Sequence, residues 1–192
     1  MKKILIGTHN NGKFKEISHL LSKKTKKISP KQLKIKSPRE TGKTFKDNAK
    51  LKANYFSKFT QLPVISDDSG MCIEALDGNP GIYSARWAKK YKSFNGAMMF
   101  ILKKMKNKIN RSATFICSLS FKYAEGKTVT VVGKIKGSIS LKIIGKKGFG
   151  YDPIFIPRSK NITFGQMSKF RKMKMDHRYI AFKKIKKIIK TL

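Results

Sequence analysis

The chain has 192 residues, 40% of them apolar, and sets 45 Lys and Arg against 10 Asp and Glu for a formal charge of +35. That length buries one good core and sits near the upper end for a single domain, so one domain over residues 1–192 is expected. The first apolar run, Ile4-Leu5-Ile6, is too short for a signal-peptide core. Nothing approaches the roughly 18 apolar residues of a spanning helix, which favours a soluble cytoplasmic protein with no membrane partner. Cys72 and Cys117 lie far apart in apolar surroundings, without zinc or disulfide spacing, and are expected to be buried thiols.

In chain order, residues 2–7 read as a buried strand, and the turn residues His9, Asn10, Asn11 and Gly12 lead into a helical pattern carrying Phe14, Ile17, Leu20 and Leu21. A short strand is expected at residues 33–35. Thr44 and Asp47 then form a capping box ahead of a helix to about Phe59. A strand over residues 64–66 runs into Ser66-Asp67-Asp68-Ser69-Gly70, and a dense turn cluster follows at Asp77-Gly78-Asn79-Pro80-Gly81. The pattern predicts a helix over residues 93–105. Residues 112–123 and 127–137 flank Glu125-Gly126 as a hairpin. Residues 146–157 are glycine-rich and aromatic, and two helices close the chain, near residues 168–175 and from Arg178 onward.

A charge of +35 favours an anionic partner such as a nucleotide, nucleic acid or anionic lipid. The excess is nearly all Lys, whereas base readers favour the bidentate fork of Arg, so an AT-rich genome is an equally good source of it. With acid so scarce, the adjacent carboxylates of Asp67 and Asp68 stand out. Consecutive strand residues point to opposite sides, so one is expected to face a cleft and the other to orient the turn. Ser69 and Gly70 allow close backbone approach, as metal and phosphate sites at strand ends require; an Asx turn capping the next element would use the same residues.

Residues 8–13 sit where free amides and a helix dipole favour an anion, with Lys13 adding a charge. The spacing is not that of a Walker loop, and an ordinary polar turn has the same composition. Thr44, Asn48 and Lys52 share one helix face opposite the stripe Phe45, Ala49, Ala53 and Phe56, so that Lys52 reaches a phosphate from the side of Glu40 or is simply solvated. Gly148-Phe149-Gly150-Tyr151-Asp152-Pro153 combines stacking faces with a carboxylate for a ribose or base edge, or is a hairpin turn with its aromatics in the core. Asp176-His177-Arg178 offers donors to a carbonyl-bearing base or caps a helix.

Taken in order, Thr8-His9-Asn10-Asn11-Gly12-Lys13, Glu40-Thr41-Gly42, Asp47-Asn48-Ala49, Ser66-Asp67-Asp68-Ser69-Gly70, Pro80-Gly81-Ile82-Tyr83-Ser84-Ala85-Arg86, Gly148-Phe149-Gly150-Tyr151-Asp152-Pro153, Thr163-Phe164 and His177-Arg178 form an ordered set. It resembles the inosine triphosphate pyrophosphatase family from about residue 3 to residue 182. The resemblance implies an α/β fold with an elongated mixed β-sheet flanked by helices, and a homodimer. It implies hydrolysis of non-standard purine nucleoside triphosphates (dITP, ITP, XTP) to nucleoside monophosphate and pyrophosphate, with Mg2+ as cofactor.

By the same resemblance Asp68 is the general base, and Glu40 with Asp68 holds the metal. Thr8, His9, Asn10, Asn11, Gly12, Lys13, Lys52 and Ser69 surround the phosphates and sugar. Phe149, Gly150, Tyr151 and Asp152 position the nucleoside, and Lys172, His177 and Arg178 read a 6-oxopurine. Departures from the family pattern are Asp176, where Ser is frequent, and Phe170 and Arg171 at commonly acidic positions. In such a site Asp68 activates a water against the α-phosphorus while cations neutralise the leaving pyrophosphate. A 6-carbonyl satisfies the donors of His177 and Arg178, and a 6-amino group leaves them unpaired.

Two other classes are consistent with the chain. One is a magnesium-dependent pyrophosphatase of another modified nucleotide. The other is a basic nucleic-acid-binding module, disfavoured because clustered carboxylates repel phosphate without a metal. A stripe of Phe182, Ile185, Ile188, Ile189 and Leu192 on the last helix is read as core or dimer contact rather than a membrane face.

Overall fold

The computed structural model describes residues 2–189. Its strands are β1 (Lys3–Ile6), β2 (Lys26–Ile28), β3 (Val64–Ile73), β4 (Ser112–Lys122), β5 (Thr128–Ile139) and β6 (Phe155–Pro157). Its helices are α1 (Asn11–Leu20), α2 (Phe45–Ser57), α3 (Ser84–Lys90), α4 (Phe94–Lys104), α5 (Lys169–Met173) and α6 (His177–Ile188). Among the described residues the strands form one mixed sheet in the order β2-β1-β3-β4-β5-β6, with β1 parallel to β2 and β3, and β5 antiparallel to β6. The chain packs as two compact units. Unit 1 draws on Met1–Asp68, Cys117–Gly133 and Arg178–Leu192, and unit 2 on Ser69–Ile116 and Lys134–His177.

Unit 1 shows strand periodicity at work. Leu5 pairs with Val64 and Ile6 with Ile65. Leu5 and Val64 pack with Phe56 of α2, whereas Ile4, Ile6 and Ile65 pack with Ile17 of α1 and with Ala181, Phe182 and Ile185 of α6. Helices thus cover both faces of the parallel strands, whose backbone pairing needs that shelter. Fully burying Phe56 contributes about 1.5–3 kcal/mol by area. The box at the start of α2 is complete: Asp47 N donates to Thr44 Oγ1 (3.2 Å) and Thr44 N to Asp47 Oδ2 (3.1 Å), an arrangement typically worth about 1 kcal/mol.

Unit 2 gathers Met71 and Ile73 of β3, Phe115 of β4, Ile139 of β5 and Phe155 of β6 against Ala97, Met98 and Ile101 of α4. Ser93 caps α4 by accepting from Gly96 N at 2.9 Å.

Several sequence expectations are corrected. The strand expected at 33–35 is a run of turns, in which Ile35 N donates to Pro30 O at 2.9 Å and Lys34 is left-handed (φ 53°). The strand beside β1 is instead β2, two of whose three residues are lysines, so no apolar alternation betrays it. β3 runs on to Ile73, so Asp67, Asp68, Ser69 and Gly70 are strand residues rather than a turn after the strand. A helix, α3, follows the Pro80-Gly81 turn where none was expected. Cys117 is buried, whereas Cys72 is only half-buried, since Met71 and Ile73 on either side of it take the core. In the terminal stripe Phe182, Ile185 and Ile189 are core, Ile188 is 54% exposed, and Leu192 lies outside the described residues. No helix among the described residues is long and apolar enough to cross a membrane.

Candidate active site

In unit 1 the site begins at the β1–α1 turn. Asn10 caps α1 by accepting from Lys13 N (3.0 Å), so Asn11, Gly12 and Lys13 form the first helical turn. Asn10 N donates to Thr8 Oγ1 at 3.2 Å, which tightens the turn. His9 Nε2 lies 3.0 Å from Ile35 O and Nδ1 lies 2.6 Å from Ser37 Oγ. A carbonyl only accepts, so Nε2 carries a proton that it donates to Ile35 O.

The two acidic residues of β3 are divided by its alternation. Asp67 points to the α1 and α6 side, where Lys13 Nζ is 3.2 Å and Arg178 Nη2 3.1 Å from Oδ2. Arg178 also binds Glu16, and the group is buried, Arg178 being 1% exposed. Asp68 points to the α2 side. There Asn48 Nδ2 donates to Oδ2 at 3.2 Å and Lys52 Nζ lies 3.7 Å from Oδ1. The same ammonium lies 2.5 Å from Glu40 Oε1, so Glu40 and Asp68 converge on one cation. Asn48 Oδ1 accepts from Gly42 N (2.8 Å), and a Cβ at Gly42 would lie 2.6 Å from that oxygen, so a side chain there would displace Asn48.

Adjacent carboxyls therefore titrate apart. Burial pushes Asp68 up from the ordinary carboxylate range, against the pull of Lys52 and Lys13. Burial also acts on Asp67, but Lys13 and Arg178, then Lys52, outweigh it and hold that carboxyl well below its ordinary value. Lys52 is raised: burial opposes its charge, and Asp68, Asp67 and Glu40 together overcome that. Environments that drive two neighbouring carboxyls apart assign different tasks to them. Asp67 is a fixed anion, and Asp68 is the one able to take a proton.

In unit 2 the loop 148–152 turns on two left-handed glycines, Gly148 (φ 76°) and Gly150 (φ 68°). A Cβ on Gly148 would lie 2.0 Å from Asp152 Oδ2. That oxygen accepts from Phe149 N (2.8 Å) and from Lys172 Nζ (2.6 Å), a pair buried on both sides. Lys172 Nζ also lies 4.9 Å from the Phe149 ring centroid. Phe149 is half-buried, while Tyr151 turns inward and donates its hydroxyl to Ser84 O at 2.9 Å. Burial, then Tyr91, raises the Tyr151 phenol. His177 is stacked on Phe115, centroids 4.8 Å apart and planes 10° from parallel. Ser69 is half-buried on β3.

Lys13 with Asp67, Lys52 with Glu40 and Asp68, and Lys172 with Asp152 and Phe149 are thus brought together. Arg178 belongs to the unit 1 network and His177 to the unit 2 stack. Three contributors were not singled out from sequence as site residues: Glu16 beneath Arg178, Asn48 beside Asp68, and Ser84 under Tyr151. The only signal for Glu16 was the scarcity of acid. Among the described residues no group of three or more His, Cys, Asp or Glu is placed to hold a metal.

The fold and these clusters define an α/β protein whose buried carboxylates, two of them neighbours on strand β3, are paired with lysines. A family model described as the Ham1 family matches residues 4–188, and the chain belongs to that family. It is 40% identical over 186 residues to the dITP/XTP pyrophosphatase of Caulobacter vibrioides, covering 96% of each chain. It is likewise 40% identical over 190 residues to the dITP/XTP pyrophosphatase of Dictyoglomus thermophilum, covering 95% of this chain and 92% of that one. Among solved structures, the Ham1 protein of Staphylococcus aureus superposes with a TM-score of 0.87 at 34% identity over 98% of both chains. A HAM1 protein from Coxiella burnetii gives 0.88 at 30% identity over 100% of both.

Proposed function

We propose that this chain hydrolyses the non-standard purine nucleoside triphosphates dITP, ITP and XTP to nucleoside monophosphate and pyrophosphate, clearing them from the nucleotide pool. The observation that carries the reading is the division of labour between Asp67 and Asp68. A carboxylate raised by burial and hydrogen-bonded to Asn48 is suited to orient a water and accept its proton as that water attacks the α-phosphorus. The atoms balance: water oxygen bonds to phosphorus, the bond to the bridging oxygen breaks, and pyrophosphate departs with its electron pair. Lys13 and Lys52 stabilise the charge that grows on it.

Mg2+ is the proposed cofactor. Glu40 and Asp68 already meet on one cation, the Lys52 ammonium, and two hard carboxylates completed by substrate phosphate oxygens suit magnesium better than a softer ion. When bound, the metal supplies charge neutralisation to the phosphates. Phe149 offers the base an aromatic face, Asp152 and Lys172 hold that loop, and Lys172, His177 and Arg178 are the donors proposed to favour a 6-carbonyl over a 6-amino group. Work on the nucleotide pool as a homodimer in the cytoplasm completes the proposal.

A panel of nucleoside triphosphates with magnesium, scored separately for pyrophosphate and orthophosphate, tests it. Pyrophosphate from ITP, dITP and XTP, with little from ATP, is the expected result. Orthophosphate alone overturns the reaction, equal turnover of ATP overturns the base reader, and preference for a modified pyrimidine nucleotide moves the substrate class.

A further inference from the structure

Unit 2 holds an open concavity lined by none of the site residues proposed above. It has a volume of about 520 Å³, within the roughly 300–1,000 Å³ of small-molecule sites. Its wall is aromatic: Trp87 of α3, Tyr91 at the C-terminal cap of that helix and Phe100 of α4, each half-buried. Tyr91 and Phe100 are stacked, centroids 4.4 Å apart at 20°, and Trp87 meets Phe100 edge-on at 5.5 Å. The rings pack against one another.

Three exposed lysines, Lys90, Lys104 and Lys108, also line the cavity. Phe100 and Lys104 are four residues apart on α4 and so share a face, which sets an ammonium beside an aromatic ring. Acceptors are present as well. Asp77 lines the cavity in a left-handed conformation (φ 52°), and Asn79 gives its amide nitrogen to Leu76 O (3.0 Å), keeping its side-chain oxygen available. Aromatic wall, cationic rim and two acceptors match a flat ring carrying N–H or O–H donors and an anionic tail.

We propose that this cavity binds a nucleoside monophosphate. The base lies against Trp87, the phosphate is held by Lys104 and Lys108, and Asp77 and Asn79 accept from ribose hydroxyls or an exocyclic amine. The site rests on residues separate from those of the proposed hydrolytic reaction, so either stands if the other falls.

Trp87 is the chain's only tryptophan, and its emission reports this cavity. Adenosine monophosphate is the probe of choice, because its 6-amino group is what the proposed base reader refuses. At about 0.15 M salt, where surface charge is screened within roughly 8 Å, it is expected to quench Trp87 saturably. Ribose 5-phosphate, which lacks the base, is expected not to. The exposed double variant Lys104→Ala/Lys108→Ala is expected to weaken binding about tenfold while hydrolysing ITP at the wild-type rate, and Lys23→Ala/Lys24→Ala to leave binding unchanged. Lys172→Ala is expected to keep the quench. No saturable quench, equal quenching by ribose 5-phosphate, unchanged affinity in the Lys104/Lys108 variant, or loss of the signal in Lys172→Ala would each overturn the proposal. The last would place the signal at the Asp152–Lys172 cluster.

Discussion

Asp67 and Asp68 are neighbours in sequence and answer to different helices. Asp67 is gripped by Lys13 of α1 and Arg178 of α6, while Asp68 meets Asn48 and Lys52 of α2. The two-residue repeat of a strand does this without any turn between them, because β3 continues straight through both. One carboxyl is thereby held as an anion well below the usual carboxylate range, and the other is pushed up from that range by burial.

Replacing Asp68 by Asn should remove the proton acceptor and keep the shape. An amide oxygen still accepts from Asn48, and a desolvated charge disappears. Turnover is expected to fall by about 10²–10⁴, with ITP affinity retained and the melting temperature unchanged or higher. Pyrophosphate release and a thermal melt check it, and a variant keeping most of its turnover refutes the base assignment.

Asp67→Asn should behave in the opposite way, losing fold rather than chemistry first. Removing one member of a buried ionic group leaves Lys13 without this carboxylate and Arg178 with Glu16 but not Asp67, a loss of about 3–5 kcal/mol in comparable sites. Because the folded pKa of Asp67 lies below its unfolded value, its contribution is present above about pH 4 and fades as pH falls through the folded pKa. Urea melts from pH 7 down to pH 2 are expected to show this acid-sensitive component below about pH 4 in the wild type and its absence in the variant.

Lys52→Met tests the shared ammonium. Lys52 pulls the Asp68 pKa down against burial, so its removal must raise it further. The acid limb of kcat/KM, expected in the wild type above the ordinary Asp value of about 3.9, should move to higher pH in the variant. An unmoved limb would separate the pH dependence from Asp68. Chelation with EDTA should abolish turnover in the wild type, with recovery on adding magnesium.

Gly148→Ala probes the base loop from its backbone. The position is left-handed (φ 76°) and its Cβ would collide with the Asp152 oxygen that holds Phe149 and Lys172. Strain of about 1–3 kcal/mol is expected to appear mainly as a raised KM for ITP, with kcat changed much less. An equal fall in kcat with KM constant would argue that the loop acts on the chemical step instead.

Local chemistry wrote much of this protein directly into its sequence. Thr44 and Asp47 announce α2 because a capping box is closed within four residues, and Glu125-Gly126 announces the β4–β5 hairpin because Gly126 takes the positive φ (95°) the turn needs. The four-residue spacing of Asn48 and Lys52 put both on one face of α2, and both meet Asp68. Tertiary structure decided the rest. Ser66-Asp67-Asp68-Ser69-Gly70 has the composition of a turn, and it is strand because the pairing partners of β3 lie elsewhere in the chain. β2 exists because β1 offers it an edge, not because Lys26 and Lys27 favour a strand. The partnership of Glu16 with Arg178 joins residues far apart in sequence, and Tyr151 turns inward because Ser84 offers it a carbonyl. Charges and hydroxyls carry no periodic signature of whom they will meet. Folding settles that, by burying them where an unpaired polar group would be too costly.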